Sequence, residues 1–368
     1  MKQTMLLKLV PSPEQAAALL ATLHAVNAAC NYAGEVAFKT TTGNTFELQK
    51  MVYGSLRADY GLPAQLAIRA ISKTVDAYKR DKSIQPTFRP EGAIAYDERV
   101  MAFKGLTTVS LLTLQGRALV PFRIGSYQQA RMDAMQGQAD LIYRTGHGGR
   151  WYLAVTLDVP TPPAEPADET LNMLGVDLGI VNLATDSDGT MHSGAGVEKV
   201  RRKHNLQRKR LQRKGTKGAR KKLKRVAKKE ARFRRHENHV ISKQLVQTAQ
   251  RTGRGIALED LKDIRKRVTA RGADARNRLG GWAFAQLGAF LVYTARLAGV
   301  VVDFVDPRYS SQTCHECGHC ERSNRKSQSE FHCKACGHQA HADVNAARNH
   351  RAQALAKRAS ELGTRLAG

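Results

Sequence analysis

Residues 175–190, GVDLGIVNLATDSDGT, are the stretch that decides the fold of this chain. Two apolar, β-prone runs flank Asp188-Gly189, and this dipeptide is a strong signal for a tight hairpin turn. Asp177 lies inside the first run, where an ionised carboxylate is costly unless it is paired or binds a metal. The stretch therefore predicts a β-hairpin at Asp188-Gly189 and a strand that contains a candidate functional acid, Asp177.

The sequence after this stretch alternates between strands and helices. Residues 254–261 (RGIALEDL) predict a buried strand, 282–298 an amphipathic helix, 298–307 (AGVVVDFVDP) another strand, and a final helix begins near Ala342. Strand runs that alternate with helical patterns are typical of α/β domains. The fold class predicted for this part of the chain is therefore α/β.

Three carboxylates in these elements are candidate metal ligands: Asp177, Glu259 in the second strand, and Asp343 at the start of the final helix. Carboxylates from two adjacent strands and a packed helix can converge to hold two Mg²⁺ ions, or Mn²⁺, for phosphodiester hydrolysis. The residues alone leave an alternative open. A strand can simply end in an acid, and Asp343 can be a first-turn carboxylate favoured by the helix dipole.

Two cysteine pairs predict a structural zinc site. Cys314 and Cys317 are followed, after fifteen residues, by Cys333 and Cys336, and four thiolates form the tetrahedral set that suits Zn²⁺. Such a closed site stabilises a fold and does no chemistry. Other nearby residues are spare or alternate zinc ligands: Cys320, His315, His319, His332 and His338. Cys30 stands alone on a helical stretch and is expected to be an ordinary core residue.

The charge of the chain predicts a polyanionic partner. Lys and Arg number 59 against 32 acids, a surplus of +27, and nucleic acid is the ordinary polyanion for such a surplus. A membrane surface is the competing partner, but no apolar run approaches the roughly 18 residues that span a bilayer. The N-terminus lacks the features of a secretory signal, so we expect a cytoplasmic protein with reduced thiols.

The densest positive charge lies in residues 199–235, which contain twenty Lys or Arg and one acid, Glu230. We expect a basic helical hairpin over residues 199–250, split at residues 215–218, with an apolar seam of Leu223, Val226, Phe233 and Val240. A solvated face or disordered tail is the alternative. The candidate phosphate contacts are Arg201, Arg202, Lys203, Arg208, Lys209, Arg210, Arg213, Lys221, Lys222, Lys224, Arg225, Lys228 and Lys229.

The first 160 residues have a different character. Residues 4–10 predict a strand, and Ser12, Pro13 and Gln15 form the signal for a helix start. A helical pattern runs to about residue 79 with breaks near 40–44 and 60–63. Residues 86–160 are β-rich, with a turn at 146–149, and the first strand is expected to join their sheet. The proline-rich residues 161–170 predict a linker.

The order of these motifs resembles the transposon-encoded TnpB nucleases, relatives of type V CRISPR effectors. The resemblance rests on GVDLGI, the basic insert, ALEDL, the segment PRYSSQTCHECG, the second Cys pair and DVNAARN, from about residue 174 to 349. The sequence departs from the family pattern in two places. His341 and Ala342 precede Asp343 where Asp-Arg often stands, and His350 follows Asn349 where the family often has isoleucine.

The resemblance implies a domain organisation. It predicts a β-barrel-like wedge domain (1–10 and 81–160) with an inserted helical recognition module (11–80). It also predicts an RNase H-like RuvC nuclease domain (171–312 and 339–368) with an inserted zinc ribbon (313–338). Asp177, Glu259 and Asp343 are then the catalytic, Mg²⁺-binding residues, and the four paired cysteines bind zinc.

The function implied is RNA-guided cleavage of target double-stranded DNA beside a short flanking motif. The expected partner is a guide RNA derived from the transposon end, in a monomeric ribonucleoprotein. Three other functions are weighed against it: a nuclease-dead RNA-guided repressor on the same fold, a zinc-ribbon RNA-binding protein, and a strand-transferring transposase. The three acids disfavour the first two, and the family resemblance disfavours the third.

Overall fold

The computed structural model describes residues 1–146, 149–162, 172–261 and 284–366. The chain divides into two compact units, Met1–Pro160 and Thr161–Gly368. Most of the predicted linker, 161–170, lies outside the described residues. Within the described part of the chain, no helix is both long and apolar enough to cross a membrane.

The first unit is built on a seven-stranded antiparallel sheet in the order β2-β6-β7-β1-β5-β4-β3. Its strands are β1 (Lys2–Leu9), β2 (Ile94–Tyr96), β3 (Met101–Lys104), β4 (Thr108–Thr113), β5 (Gly116–Arg123), β6 (Met135–Arg144) and β7 (Arg150–Asp158). The first strand pairs with both β7 and β5, as its sequence predicted. The Tyr96 hydroxyl of edge strand β2 donates to the Leu112 carbonyl of β4, 2.7 Å away, so the sheet is nearly closed.

Three helices are inserted between β1 and β2: α1 (Pro13–Lys39), α2 (Thr45–Ala58) and α3 (Ala64–Arg80). Helix α1 begins with the predicted capping box, in which the Gln15 amide donates to Ser12 Oγ and the Ser12 amide donates to Gln15 Oε1. The breaks expected near 40–44 and 60–63 are present. These helices and the sheet share one apolar core, and a single-turn helix α4 (Ser126–Gln129) follows β5.

The second unit contains a five-stranded sheet in the order β10-β9-β8-β11-β12. Its strands are β8 (Met173–Asp177), β9 (Asn182–Asp186), β10 (Met191–Ser193), β11 (Gly255–Glu259) and β12 (Val302–Val305). The first three strands are antiparallel, and the predicted turn at Asp188-Gly189 connects β9 to β10. Strand β11 is parallel to both β8 and β12, so the sheet is mixed.

In the described residues of this unit, four α-helices accompany the sheet: α5 (Ala195–Lys214), α6 (Lys217–Arg251), α7 (Phe284–Ala298) and α8 (Ala342–Leu366). Side chains alternate between the faces of a strand. Val176 and Leu258 accordingly join the core with α6 and α7, whereas Met173 and Ala257 pack with Ala354 of α8. The same alternation places the acids that end β8 and β11 on the α8 side of the sheet.

The basic segment forms the predicted hairpin of α5 and α6. Gly215 ends α5 with a positive φ of 62°, and the Thr216 side chain caps α6 by accepting from the Ala219 amide. The seam prediction was wrong at Val240, which is 38% exposed. That half of α6 packs against α7 and β11 rather than α5, so the side chains it buries include Ile241 and Leu245.

A short two-stranded ribbon, β13 (Glu330–His332) and β14 (Gln339–His341), precedes α8. Cys333 and Cys336 lie at the turn between these two strands, and Cys314 and Cys317 lie at an earlier turn that is closed by a bridge between Thr313 and Cys320. The segment that connects β12 to α8 thus contains an antiparallel pair of strands.

Candidate active site

Two of the three predicted carboxylates lie side by side at the ends of neighbouring strands. Strands β8 and β11 pair in parallel register through Val176 and Leu258, so the next residues, Asp177 and Glu259, project together toward α8. Glu259 is only 8% exposed, and its Oε1 accepts from the Leu178 amide at 2.8 Å. This backbone contact fixes one carboxylate oxygen and leaves the other for a ligand.

The two carboxyls share an environment that disfavours negative charge. Burial, reinforced by the charge of Asp343, raises the pKa of Asp177 to about 7, although Arg325 partly offsets the effect. Burial and the neighbouring Asp177 raise the pKa of Glu259 well above its ordinary value. A buried pair of this kind is stable as two carboxylates when a cation lies between them.

Asp343 lies in the first turn of α8, as predicted, and is 3% exposed. Its Oδ2 accepts from Asn182 Nδ2 at 3.0 Å, and its Oδ1 lies 3.4 Å from Arg325 Nη2. It is close enough to raise the pKa of Asp177. The third acid thus borders the pair, held by an amide from β9 and a guanidinium from the ribbon segment.

Sequence reasoning did not assign a role to His350, which the structure brings to the same place. Ligand atoms of His350, Asp177 and Glu259 all lie within 4.8 Å of one another. The imidazole is fully buried, and burial lowers its pKa to about 4. The sequence held a signal for it: His350 follows Asp343 by seven residues, which puts both on one face of a helix.

The four predicted cysteines form a second cluster. Their sulfur atoms lie within 4.8 Å of one another, with 3.7 Å between the sulfurs of Cys314 and Cys336 and 3.6 Å between those of Cys317 and Cys333. Backbone hydrogen bonding from Cys336 lowers the pKa of the Cys333 thiol to about 6, whereas burial raises the pKa of the Cys314 thiol. The arrangement can hold a metal ion.

Both cysteine pairs turn in the same way. The Gly318 amide donates to the Cys314 carbonyl and the Gly337 amide to the Cys333 carbonyl, at 2.9 and 3.1 Å. The two glycines have φ values of 75° and 74°, a conformation that L side chains rarely adopt. The repeated turn explains why glycine follows the second cysteine of each pair.

The spare ligands lie outside this cluster. Cys320 is exposed and His315 hydrogen-bonds Asn345 at 3.0 Å. In the first unit, Cys30 is buried against the Ala70 carbonyl, and burial raises its pKa to about 11, consistent with the predicted core role.

The candidate phosphate-binding side chains line the α5–α6 hairpin. All thirteen are exposed except Arg201, which is buried, and Arg208, which is half-buried. Arg201 pairs with Glu198, and Arg208 Nη1 lies 2.7 Å from the buried Glu230. Arg208 therefore links α5 to α6, and Arg201 pairs within α5, while the other eleven side chains are exposed to solvent.

Family models match two parts of the chain. Residues 153–265 match the family described as "Probable transposase", and residues 284–350 match "Cas12f1-like, TNB domain". Together these matches include all three acids and all four clustered cysteines.

Two curated proteins are similar in sequence. The chain is 34% identical over 235 residues to "CRISPR-associated endodeoxyribonuclease Cas12f1" of Sulfoacidibacillus thermotolerans, covering 58% of this chain and 53% of that protein. It is 26% identical over 307 residues to "Putative RNA-guided DNA endonuclease InsQ" of Escherichia coli K12, covering 78% and 73%. The chain thus spans about half the length of the Cas12f1 relative.

The fold is also similar to a solved structure. "Cryo-EM structure of the Cas12f1-sgRNA-target DNA complex" matches with a TM-score of 0.62 at 13% identity, covering 95% of this chain and 98% of that one. The mixed α/β architecture of this chain is therefore that of a Cas12f-type effector.

Proposed function

Since the chain belongs to the TnpB family, we propose that it is an RNA-guided DNA endonuclease of an insertion sequence. It hydrolyses phosphodiester bonds of a target DNA beside a short flanking motif. The observation that carries this proposal is the pairing of the half-buried Asp177 with the buried Glu259, two neighbouring carboxyls with raised pKa on adjacent strands. Similarity to the RNA-guided endonuclease InsQ over 78% of this chain supports the substrate class.

The proposed catalytic domain is RNase H-like, of the RuvC type, and comprises residues 171–312 and 339–368. An antiparallel meander followed by two parallel strands, with helices on both faces, supports this assignment. The ribbon at 313–338 is the proposed zinc insertion. Residues 1–10 and 81–160 form the wedge domain, and 11–80 the recognition module. We assign residues 161–170 to the linker.

The residues at the carboxylate site fit Mg²⁺, or Mn²⁺ in its place. Hard divalent cations prefer carboxylate oxygens, and the unfavourable burial of Asp177 and Glu259 is relieved by a cation. When bound, two such ions supply activation of water and stabilisation of the leaving 3′ oxygen. Asp177 and Glu259 bind the cations and Asp343 completes the set, while Asn182 orients Asp343 and the Leu178 amide orients Glu259.

The four clustered cysteines fit zinc. Tetrahedral thiolates at a Zn–S distance of about 2.3 Å place their sulfurs roughly 3.8 Å apart, close to the 3.6 and 3.7 Å that separate the sulfurs of Cys317 and Cys333 and of Cys314 and Cys336. Four thiolates leave no open coordination position, so this zinc is structural. It stabilises the ribbon that carries Arg325 to Asp343.

A guide RNA derived from the transposon end, and its heteroduplex with target DNA, are the proposed partners of the basic hairpin. Eleven exposed cations on two rigid helices offer sequence-independent phosphate contacts. Base pairing then selects the target. The proposed particle contains one protein chain, and the first unit is the proposed reader of the flanking motif.

The test is a cleavage assay with the purified ribonucleoprotein and Mg²⁺. Asp177→Ala is expected to abolish cleavage while leaving guide RNA bound. The matched control is Asp306→Ala, which removes an exposed acid just beyond β12 and is expected to cleave normally. A fully active Asp177→Ala protein contradicts the assigned site. A wild-type particle that binds target DNA without cutting it supports the alternative, an RNA-guided repressor.

A further inference from the structure

His350 is a fully buried histidine in the middle of α8. Among the residues that the structure describes, neither of its ring nitrogens has a hydrogen-bond partner. Leaving buried polar atoms unpaired costs free energy that an apolar side chain of similar volume would not incur. We therefore expect a bound partner that interacts with a ring nitrogen of His350.

The nearest polar group is a carboxylate of the active site. His350 Nε2 lies 3.8 Å from Asp177 Oδ1, too far for a hydrogen bond. Two ligands of one cation at about 2.1 Å lie at most about 4.2 Å apart. The spacing is thus wide for direct contact and suitable for a shared ion.

The position of Glu259 also supports a shared ion. Ligand atoms of Asp177, Glu259 and His350 all lie within 4.8 Å of one another, and they come from β8, β11 and α8. Charged groups that face this pocket are Asp343 from α8 and Arg325 from the ribbon segment, and these two pair with each other.

We propose that His350 is a protein ligand of one of the divalent cations, together with Asp177 and Glu259. This inference rests on the proposed cation site and adds a nitrogen ligand to its oxygen set. Imidazole favours transition metals over Mg²⁺. The site therefore prefers Mn²⁺ to Mg²⁺ more strongly than a site of carboxylates alone.

A purely structural role for His350 makes a different prediction. If the ring only fills space between α8 and the sheet, a leucine of similar volume preserves packing and cation binding. A ligand role predicts that His350→Leu folds but binds Mn²⁺ at least about tenfold more weakly, the loss typical of disturbing a metal's coordination environment. It also predicts a smaller loss for Mg²⁺ than for Mn²⁺.

Pulsed electron paramagnetic resonance of the zinc-loaded chain with added Mn²⁺ tests the proposal directly. The expected result is a histidine ¹⁴N coupling to Mn²⁺ that changes on ¹⁵N-histidine labelling. The coupling should disappear in His350→Leu and remain in the control His236→Leu, which alters an exposed histidine on α6. Isotope labelling of the wild-type chain keeps the test independent of the variants' folding.

The outcomes separate this proposal from the one on which it rests. Mn²⁺ that binds in wild type, is lost in Asp177→Ala and shows no nitrogen coupling overturns the role of His350 and leaves the carboxylate site standing. Coupling that persists in a folded His350→Leu protein also overturns it. If wild type binds no Mn²⁺ that depends on Asp177, the cation site itself fails, and this inference fails with it.

Discussion

Gly175 on β8 faces the carbonyl oxygen of Ala347 on α8 so closely that a β-carbon on Gly175 would lie 1.8 Å from that oxygen. Gly175 lies on the same side of the sheet as Asp177, two residues away. Its missing side chain lets the helix that carries Asp343 and His350 approach the strand. Close contact between β8 and α8 is therefore what brings the site residues together.

Gly175→Ala is expected to destabilise the second unit and to abolish cleavage. The added methyl overlaps backbone, which can yield only by moving α8, and overpacking of this kind typically costs about 1–3 kcal/mol or more. The control is Gly196→Ala on α5, where a β-carbon meets nothing within 4 Å. Thermal unfolding of both variants checks the prediction, and equal melting temperatures would contradict the close approach.

The metal-free protein is expected to lose stability as pH rises toward neutrality. Asp177 has a folded-state pKa of about 7, above its ordinary value of about 3.9, so between these values the folded chain binds more protons than the unfolded chain. The free energy of unfolding then falls with rising pH by at most about 1.4 kcal/mol per unit for this group. Glu259 contributes in the same direction.

Denaturant unfolding of wild type and Asp177→Asn across this pH range measures the effect. The asparagine variant should show a shallower decline, because its side chain does not ionise. Mg²⁺ should restore wild-type stability most at the upper end of the range, since a cation that binds only the folded state stabilises it. Parallel curves for the two proteins would argue against a raised pKa at Asp177.

Replacing a clustered cysteine is expected to remove zinc from the protein. Cys333→Ser should lower bound zinc from about one ion per chain and lower the melting temperature, because the ribbon loses its main stabilising contact. Cys320→Ser, which changes an exposed cysteine of the same segment, is the control and should keep its zinc. Elemental analysis of purified proteins decides; full zinc content in Cys333→Ser would refute the assignment.

Guide RNA binding is expected to depend on salt through the α5–α6 hairpin. Lys221, Lys224 and Lys228 are exposed along one face of α6. Changing all three to Gln should reduce the slope of log affinity against log salt by roughly 2, at about 0.7 to 0.9 per lost phosphate contact. Filter binding over a series of salt concentrations measures the slope.

The control is a second triple variant that loses three lysine charges elsewhere in the second unit. It changes Lys326, Lys334 and Lys357, all exposed, to Gln. A smaller reduction in slope is expected. Equal slopes for the two triple variants would show that net charge, rather than the hairpin, governs binding.

The sequence was sufficient where local patterns dictate the structure. The apolar run around Asp177, the Asp188-Gly189 turn and the capping box at Ser12 each predicted the element that is present. The apolar run around β11 also predicted that Glu259 lies in a buried strand. These features depend on near neighbours in the chain, which a sequence displays directly.

Features that depend on packing between distant elements could not be predicted as well. Val240 was assigned to the hairpin seam, but α6 changes partner from α5 to α7 along its length. The place of His350 depends on how closely α8 approaches β8, which is set by Gly175. The internal pairing of Arg208 with Glu230 across the hairpin likewise required the relative register of α5 and α6.

Anomalous diffraction from crystals soaked in Mn²⁺ tests most directly whether Asp177 and Glu259 share a divalent cation. We predict a manganese peak bounded by these two carboxylates, separate from a zinc peak at the four cysteines. A clear zinc peak with no manganese between Asp177 and Glu259 would contradict the proposed catalytic site.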